Sequence, residues 1–517
     1  MPSQIVDRFG TPFPSMTDKM QAELRSLRRE MLNAKYDAAQ TVTANENHWS
    51  QSDNLDPHSA NSLSVRQKLR ARSRYETIEN NPYLKGVLLT ITGDTVKTGP
   101  TLKITDKRLS KEQRRHIERR WAGWFKAIKG RRKLWRTKLA KTVDGEGFQF
   151  AYQDPSLKDR VKLNFFCVEA DRVSSENVMS YMKPSETMNE IDGVRFNAYD
   201  VPLQYYLLNI HPGNAGNLFQ FFAKQIGGNW VDAKYVLHWF RQDRGWLRGI
   251  PETTPSLPLC AIMRRYTLAV VRAAEIAADF SAVIESEGPP NMNAWTDGNG
   301  NPLVDDPFDV FPVEYGMITS LPWGTKLNQM DAKQPTGMYD NFIDSLLREI
   351  LRPLLVPFNV GAGSSKDSNM ASAVVDEEVY ENGIKEDRVT GEEDVLDPMT
   401  NLWWDEAKLI PGYLDEEISA ERNVLTQNPT LREEMPEHCF RWPKVGLGHT
   451  DPLKVARALI EQRKDGILTD RDIQETYFNR DVDDWREEVV EDTEFRNENG
   501  IGEPVVPAEG VSPTEND

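Results

Sequence analysis

The sequence predicts an α+β fold organised around one long helix. Short strand-like runs crowd residues 146–255, and helical spacing dominates 101–145 and 256–287. A 39% apolar fraction over 517 residues is ample for a sizeable core, though lean enough to imply long polar stretches. At about 150 residues per domain, this length makes roughly three domains or one large composite fold.

Taken in order, residues 17–37 have helical spacing, and the Ser/Asn/Gln/His-rich stretch 43–63 reads as an extended arm or linker. The pattern from 64 to 99 is helical, with Tyr75 and Ile78, then Leu84, Val87, Leu88 and Ile91. Asn81-Pro82 is a helix start, because Asn caps the free N–H groups and Pro needs none. TGDTVKTGPTLKI, 92–104, reads as turns leading to a strand.

Residues 101–145 hold sixteen Lys and Arg against four Asp and Glu, a net +12, with Trp121, Trp124, Phe125 and Trp135 among them. Cations and aromatics together suit a nucleic-acid face. The spacing of Ile117, Trp121, Trp124 and Ile128 instead suits the core side of an amphipathic helix pair, and it favours that assignment.

Strand signals follow at 148–152, 161–170, 195–199, 203–210 and 234–240, separated by Gly, Pro and Asn turns. In 256–287, apolar residues at 259, 262, 263, 266, 270, 273, 277, 280 and 284 step by threes and fours. A helix of about 27 residues would be roughly 40 Å long. Its second face is small (Ala269, Ala273, Ala274, Ala277, Ala278 and Ala282), which suits close packing against other helices. After Gly288-Pro289-Pro290 come turns and short strands, then a helix over 337–352 interrupted at Pro353 and Pro357.

Residues 376–397 carry a net −8. Asp451-Pro452 opens another helix that stops at Gly466, and Thr469 with Asp472 forms a capping-box start for the next. From 481 onward thirteen acids face two bases, which predicts a disordered acidic tail.

The net charge of −17 argues against a protein that coats nucleic acid over its whole surface. Cys167, Cys260 and Cys439 are too few and too scattered for a disulfide framework, which fits a reducing compartment. No signal peptide and no membrane-spanning run is expected. None of the seven His pair at i, i+3 or i, i+4, so no metal or cofactor site is predicted. The 297–308 stretch starts like a calcium loop but has Pro302 and Phe308 where Gly and Glu belong. GAGSSKDS, 361–368, has Ser365 before Lys366 and Asp367 after it, so it fails as a phosphate loop. No nucleophile elbow occurs. Nothing here predicts catalysis.

Five stretches, in order, resemble the lambda-type portal proteins of tailed double-stranded DNA bacteriophages. They are ENNPYLKGVLLTITGDTVKTGPTLKI after Arg74-Tyr75; KLAKTVDGEGFQFA; VLHWFRQDRGWLRGIPETTPSL; FIDSLLREILRPLLVPFNVGAGSSKDSNMASAVVDEE; and TDPLKVARALIEQRKDGILTDRDIQETYFNRDVDDWREE. They run from about 75 to 495. Asn369, Met370 and Ser372 hold places of the family's Asn-Tyr-Ser-Ser-Arg run, which is not intact here, and Pro353 interrupts a stretch the family keeps helical.

The resemblance implies a portal fold assembled as a ring, usually of twelve copies, at one capsid vertex. It implies an N-terminal arm (1–63), wing (64–255), stem helix (256–287), clip (288–330), returning stem helix and tunnel loop (331–375), second wing part (376–450), helical crown region (451–495) and disordered tail (496–517). It also implies double-stranded DNA passing through the channel, the terminase large subunit and later a head–tail adaptor docking at the clip, and a neighbouring major capsid or scaffolding protein, with no membrane. The location would be the virion's portal vertex, reached from the host bacterial cytoplasm. Candidates for channel contacts with DNA are Arg264, Arg265, Arg272, Lys366, Lys385 and Arg388, with ion pairing between copies as the alternative role. Candidates for clip docking are Trp295, Phe308 and Phe311. A competing function is a nuclease or NTPase using the basic 101–145 segment, and another is a different capsid or connector component.

Overall fold

The computed structural model describes residues 52, 54–175, 189–214, 227–279, 283–286, 299, 325–328, 338–364, 370–415, 424–443, 452–474, 478 and 482–499. The chain divides into two units, Met1–Ala60 and Asn61–Asp517. In the first, one helical turn, Pro57–Ala60, starts where Asp56 accepts the Ser59 N–H at 3.3 Å. The helix expected over 17–37 lies outside the described residues.

The second unit opens with α1 (Leu63–Arg74), a π-type turn at Tyr75–Asn80, and α2 (Pro82–Val96). Asn81 accepts the N–H groups of Tyr83 and Leu84 at 3.1 and 3.2 Å, as its sequence position predicts. The turns expected from residue 92 begin only at Lys97, because α2 continues to Val96, and they lead into a strand as expected. Thr95 returns its hydroxyl to the Ile91 carbonyl at 2.8 Å, and Arg388 donates to the Asp94 and Thr95 carbonyls at 2.9 Å. A distant arginine thus closes the helix end, which no local pattern reveals.

β1 (Thr101–Ile104) pairs antiparallel with His438–Arg441. α3 (Lys111–Ala127) begins in a capping box made by Ser110 and Gln113. Ile117, Trp121, Trp124 and Ile128 are 0–2% exposed, so the core-face assignment of the basic segment is the right one. α4 (Gly130–Asp144) lies directly on β2 (Glu146–Gln153), and a Cβ on Gly147 would stand 2.5 Å from the Thr137 carbonyl oxygen.

β2 is the centre of a three-stranded antiparallel sheet, between β3 (Leu163–Val168) and a later strand at 236–240. The four-stranded sheet comprises β4 (Asn189–Ile191), β5 (Val194–Phe196), β6 (Pro202–Leu208) and β7 (Gly228–Asp232), in that spatial order. β8 (Val236–Phe240) then returns to the first sheet. Phe148, Phe150 and Val168 of one sheet pack with Val194, Phe196 and Tyr205 of the other. β4 and β7 were not among the strand signals, being short or poor in β-branched residues.

α5 (Leu257–Asp279) is the long helix, shorter than the sequence implied. The apolar spacing persists to 284, yet Val283–Ser286 forms β9, paired antiparallel with β10 (Thr325–Asn328). Strand pairing across the intervening chain overrides helical periodicity there. α6 (Met338–Leu351) ends in a tight turn at Arg352–Leu354, which accommodates Pro353. α7 (Phe358–Ala362) follows Pro357, and α8 (Met370–Gly391) passes through a π-type turn, Glu392–Leu396, into α9 (Asp397–Ala407). β11 is the His438–Arg441 partner of β1. α10 (Pro452–Lys464) and α11 (Val482–Glu498) are the longer helices after β11, with short helical turns at Val424–Gln427, before β11, and at Asp470–Asp472. The acidic run from 481 is therefore helical as far as Glu498, beyond the expected boundary at 495.

A first core unites α3, α4 and α9 with the three-stranded sheet. In it Trp403 is fully buried, its ring centroid 6.1 Å from those of Trp124 and Trp404. A second group of helices forms a layer. Leu84 of α2 joins Cys260 and Met263 of α5 and Ile343, Leu347 and Ile350 of α6. Val87 and Ile91 of α2 join Leu351, Tyr380 and Ile384, the last two from α8. α5 and α8 are thus the flanks of this layer, with α2 and α6 inside it.

Trp403→Ala is expected to cost about 3–5 kcal/mol through the cavity it leaves. A urea unfolding midpoint that does not move would show that this aromatic cluster is not the core of the fold.

Candidate functional site

α5 and α6 run antiparallel. Tyr266 stacks on Tyr339 at 5.8 Å and lies edge-on to Phe342 at 4.9 Å, while Met263 sits among Ile343, Leu346 and Leu347. With 3.6 residues per turn, burying Cys260 and Met263 turns the opposite face outward. That face is exposed and carries Ile262, Arg265, Leu268, Ala269, Val271, Arg272 and Glu275. β9 and β10 pair beyond the ends of the two helices.

The basic candidates separate by position. Arg265 and Arg272 stand on the exposed face of α5. Arg264 turns back to its own chain, meeting Glu76 at 2.9 Å and the Tyr75 ring at 5.1 Å. Lys385 is exposed on α8, 3.4 Å from Glu381. Arg388 requires a correction. It is buried, holds the α2 carbonyls and lies over the Trp442 ring, so it cannot face a channel. Burial draws its pKa down to about 10. Lys366, Trp295, Phe308 and Phe311 lie outside the described residues.

Two charge clusters, not expected from the sequence, fasten elements between α1 and α8 to one another. Arg66, Arg70 and Arg74, spaced four apart, line one side of α1. Glu146 is wholly buried and accepts from Arg70, from Arg248 (Nη2 at 2.5 Å) and from the Gly249 N–H at 3.1 Å. His238 Nε2 lies 3.1 Å from Oε2, the oxygen that also accepts the Gly249 N–H. Asp171 bridges Arg70 and Arg74 at 3.0 and 2.7 Å, and Asp192 pairs with Arg66. Burial would raise the Glu146 pKa, but Arg248 and Arg70 hold it well below the usual carboxylate range. His238 is lowered by burial and stacks between Phe148 and Phe240 at 4.2 and 4.3 Å. The regular spacing of the three arginines was the signal that could have revealed this cluster.

The second cluster joins α4 to α8. Lys141 Nζ lies 2.6 Å from both Glu252 and Asp387, and Lys138 lies 2.7 Å from Asp387. Burial opposes the charge on Glu252, yet Lys138 and Lys141 hold its pKa far below normal. A cleft of about 700 Å³ opens beside it, bordered by Tyr205, Tyr380, Glu393 and Asp394. Burial first, and then the Glu393 charge, raise Asp394 to about 7. Each of these buried cations faces an acid within the same cluster, which makes the clusters fasteners between elements rather than reaction centres.

Among the described residues no group of three His, Cys, Asp or Glu is arranged to hold a metal ion, and no helix is long and apolar enough to cross a membrane. The calcium-like stretch at 297–308 lies outside the described residues except for Asn299, as does the 365–368 part of the Gly-rich stretch.

Residues 47–377 match the profile of the phage portal protein family, lambda family. Among solved structures, the chain is similar to one from the virion of a native gene transfer agent particle, at 13% identity and a TM-score of 0.35. It is also similar to chains from the neck of the empty particle computed with C6 symmetry (12%, 0.37) and of the native particle computed with C12 symmetry (13%, 0.34). Each similarity covers 78% of this chain and 92% of the other. None of the curated proteins matches.

Arg248→Ala should destabilise the chain by about 3–5 kcal/mol, because Glu146 would be left buried without its main partner. The folded chain keeps Glu146 ionised to a pH below its usual 4.5, whereas the unfolded chain takes up the proton there. That contribution to stability is therefore full above pH 4.5 and is lost as the pH falls below it. Asp394 has the opposite sign: its folded pKa of about 7 lies above the usual 3.8, so its burial cost is complete above pH 7 and lifts as the pH falls towards 4. Asp394→Asn is expected to raise Tm at pH 8 and to change it little near pH 4. A lower Tm at pH 8 would refute this assignment.

Proposed function

The chain belongs to the lambda family of phage portal proteins, the head–tail connectors, and we propose that copies of it close into a ring whose central channel carries double-stranded DNA during packaging and ejection. The observation that carries this reading is the exposed face of α5. Ile262, Leu268 and Val271 are each about half exposed along a helix that buries Leu257, Cys260 and Met263 on its other side. Apolar area of this kind is stabilised when neighbouring copies cover it. Around a closed ring each copy presents the same two surfaces to its neighbours, so every such face would be covered.

In this reading the ring has about twelve copies, the usual family number, and sits at one vertex of the capsid, beside the major capsid or scaffolding protein. It assembles in the host bacterial cytoplasm. Residues 288–330, which follow β9 and include β10, form the clip that receives the terminase large subunit first and a head–tail adaptor afterwards. Trp295, Phe308 and Phe311 are the aromatic candidates for that docking. The net charge of −17 per chain suits a conduit that lets DNA pass with little binding, since an acidic wall repels phosphate. The family is a structural one, and the clusters described above need no substrate to complete them.

Electron microscopy of the purified chain is expected to show rings with a central hole. Deleting 288–330 should leave the rings and abolish terminase binding in a pull-down. Particles that remain monomeric at high concentration would overturn the portal reading, and terminase binding that survives the deletion would overturn the clip assignment.

A further inference from the structure

Two exposed helix faces lie on the flanks of the helical layer, and they are complementary. On α5, Ile262, Leu268 and Val271 are 51%, 50% and 47% exposed and surround Arg265 and Arg272, with Glu275 at the edge. On α8, Val375, Val379 and Val389 are 61%, 41% and 49% exposed and surround Glu378 and Glu386, with Asn382 between them. Asp376 stands to one side of this second face, and Lys385, 3.4 Å from Glu381, to the other.

The spacing of the charges agrees. Arg265 and Arg272 are seven residues apart and Glu378 and Glu386 eight, which at 1.5 Å per residue is about 10 and 12 Å. Each face also has a rigid support. α5 is packed on α6 through Cys260 and Met263. α8 is packed on α2 through Tyr380 and Ile384, and its far end is fixed by Asp387 to the α4 lysines and by Arg388 to the α2 carbonyls. One chain cannot join its own two flanks across the helices that lie between them. A second copy can.

The geometry points to a head-to-tail contact in which the α5 face of one copy docks on the α8 face of the next. The valines meet Ile262, Leu268 and Val271, and Arg265 and Arg272 pair with Glu378 and Glu386. The contact is heterologous, joining two different surfaces, so it propagates from copy to copy and ends only when the ring closes. This rests on the portal reading and gives its ring a specific interface. It also assigns Arg265 and Arg272 to subunit pairing and not to DNA.

The test uses charge exchange in the full-length chain, with assembly followed by sedimentation velocity. Arg265→Glu with Arg272→Glu should raise the protein concentration needed for half-assembly by about ten-fold or more, as should Glu378→Arg with Glu386→Arg. All four substitutions together should restore most of the loss. Because these residues are exposed, the variants should keep the native Tm. A neutral second measurement covers any variant that fails to fold: Leu268→Cys with Val379→Cys, on a Cys439→Ser background, should give an oxidation-dependent ladder of linked copies. Rings that ignore both reversals, a fourfold exchange that restores nothing, or an absence of the ladder would overturn this interface while leaving the portal reading intact. A native chain that forms no ring would overturn both.

Discussion

The carboxylate of Glu146, at the start of β2, ties together segments far apart in the sequence: Arg70 from α1, His238 from β8, and Arg248 with the Gly249 N–H from the approach to α5. A buried carboxylate is tolerable only when cations and N–H groups surround it, and these donors come from three separate stretches of the chain. Arg248 also donates to the Asp192 carbonyl, between β4 and β5, so the positions of α1, both sheets and the root of the long helix depend on one another. Asp387 acts similarly at the other end, binding α8 to the two lysines of α4.

These fasteners explain how a lean apolar content still yields a well-defined subunit. The first core is dominated by a few large rings, among them Trp121, Trp124, Trp403 and Trp404, and the buried ion clusters fix the direction in which the helices leave it. α5 leaves from Leu257, just after Glu252, and α8 ends at Gly391, where a Cβ would stand 2.8 Å from the Trp239 ring. Both helices are anchored at one end and carry apolar residues on their outward faces. Those outward faces are apolar surface that neighbouring copies in the proposed ring would cover.

Local patterns were legible in the sequence where local physics decides. The Ile117, Trp121, Trp124 and Ile128 spacing identified a core face inside a segment whose charge alone suggested a nucleic-acid surface. Asn81-Pro82 marked a helix start, and the ordered motifs identified the family. What escaped was set at long range. Val283 and Ile284 continue the spacing of α5 but belong to a strand, because residues 325–328 pair with them. Arg388 looks like any other cation in the sequence, yet its guanidinium closes a helix almost 300 residues earlier in the chain. Arg66, Arg70 and Arg74 were visible as a regular series, but their acids come from residues 144–192, and only folding brings them together.

The central claim is that this chain functions as one member of a closed ring. Native mass spectrometry of the purified full-length protein tests it most directly. The account predicts one dominant species at a single whole-number multiple of the 59.1 kDa chain mass, close to the family's usual number. A spectrum showing only the single chain, or an open-ended series of masses with no preferred member, would contradict it.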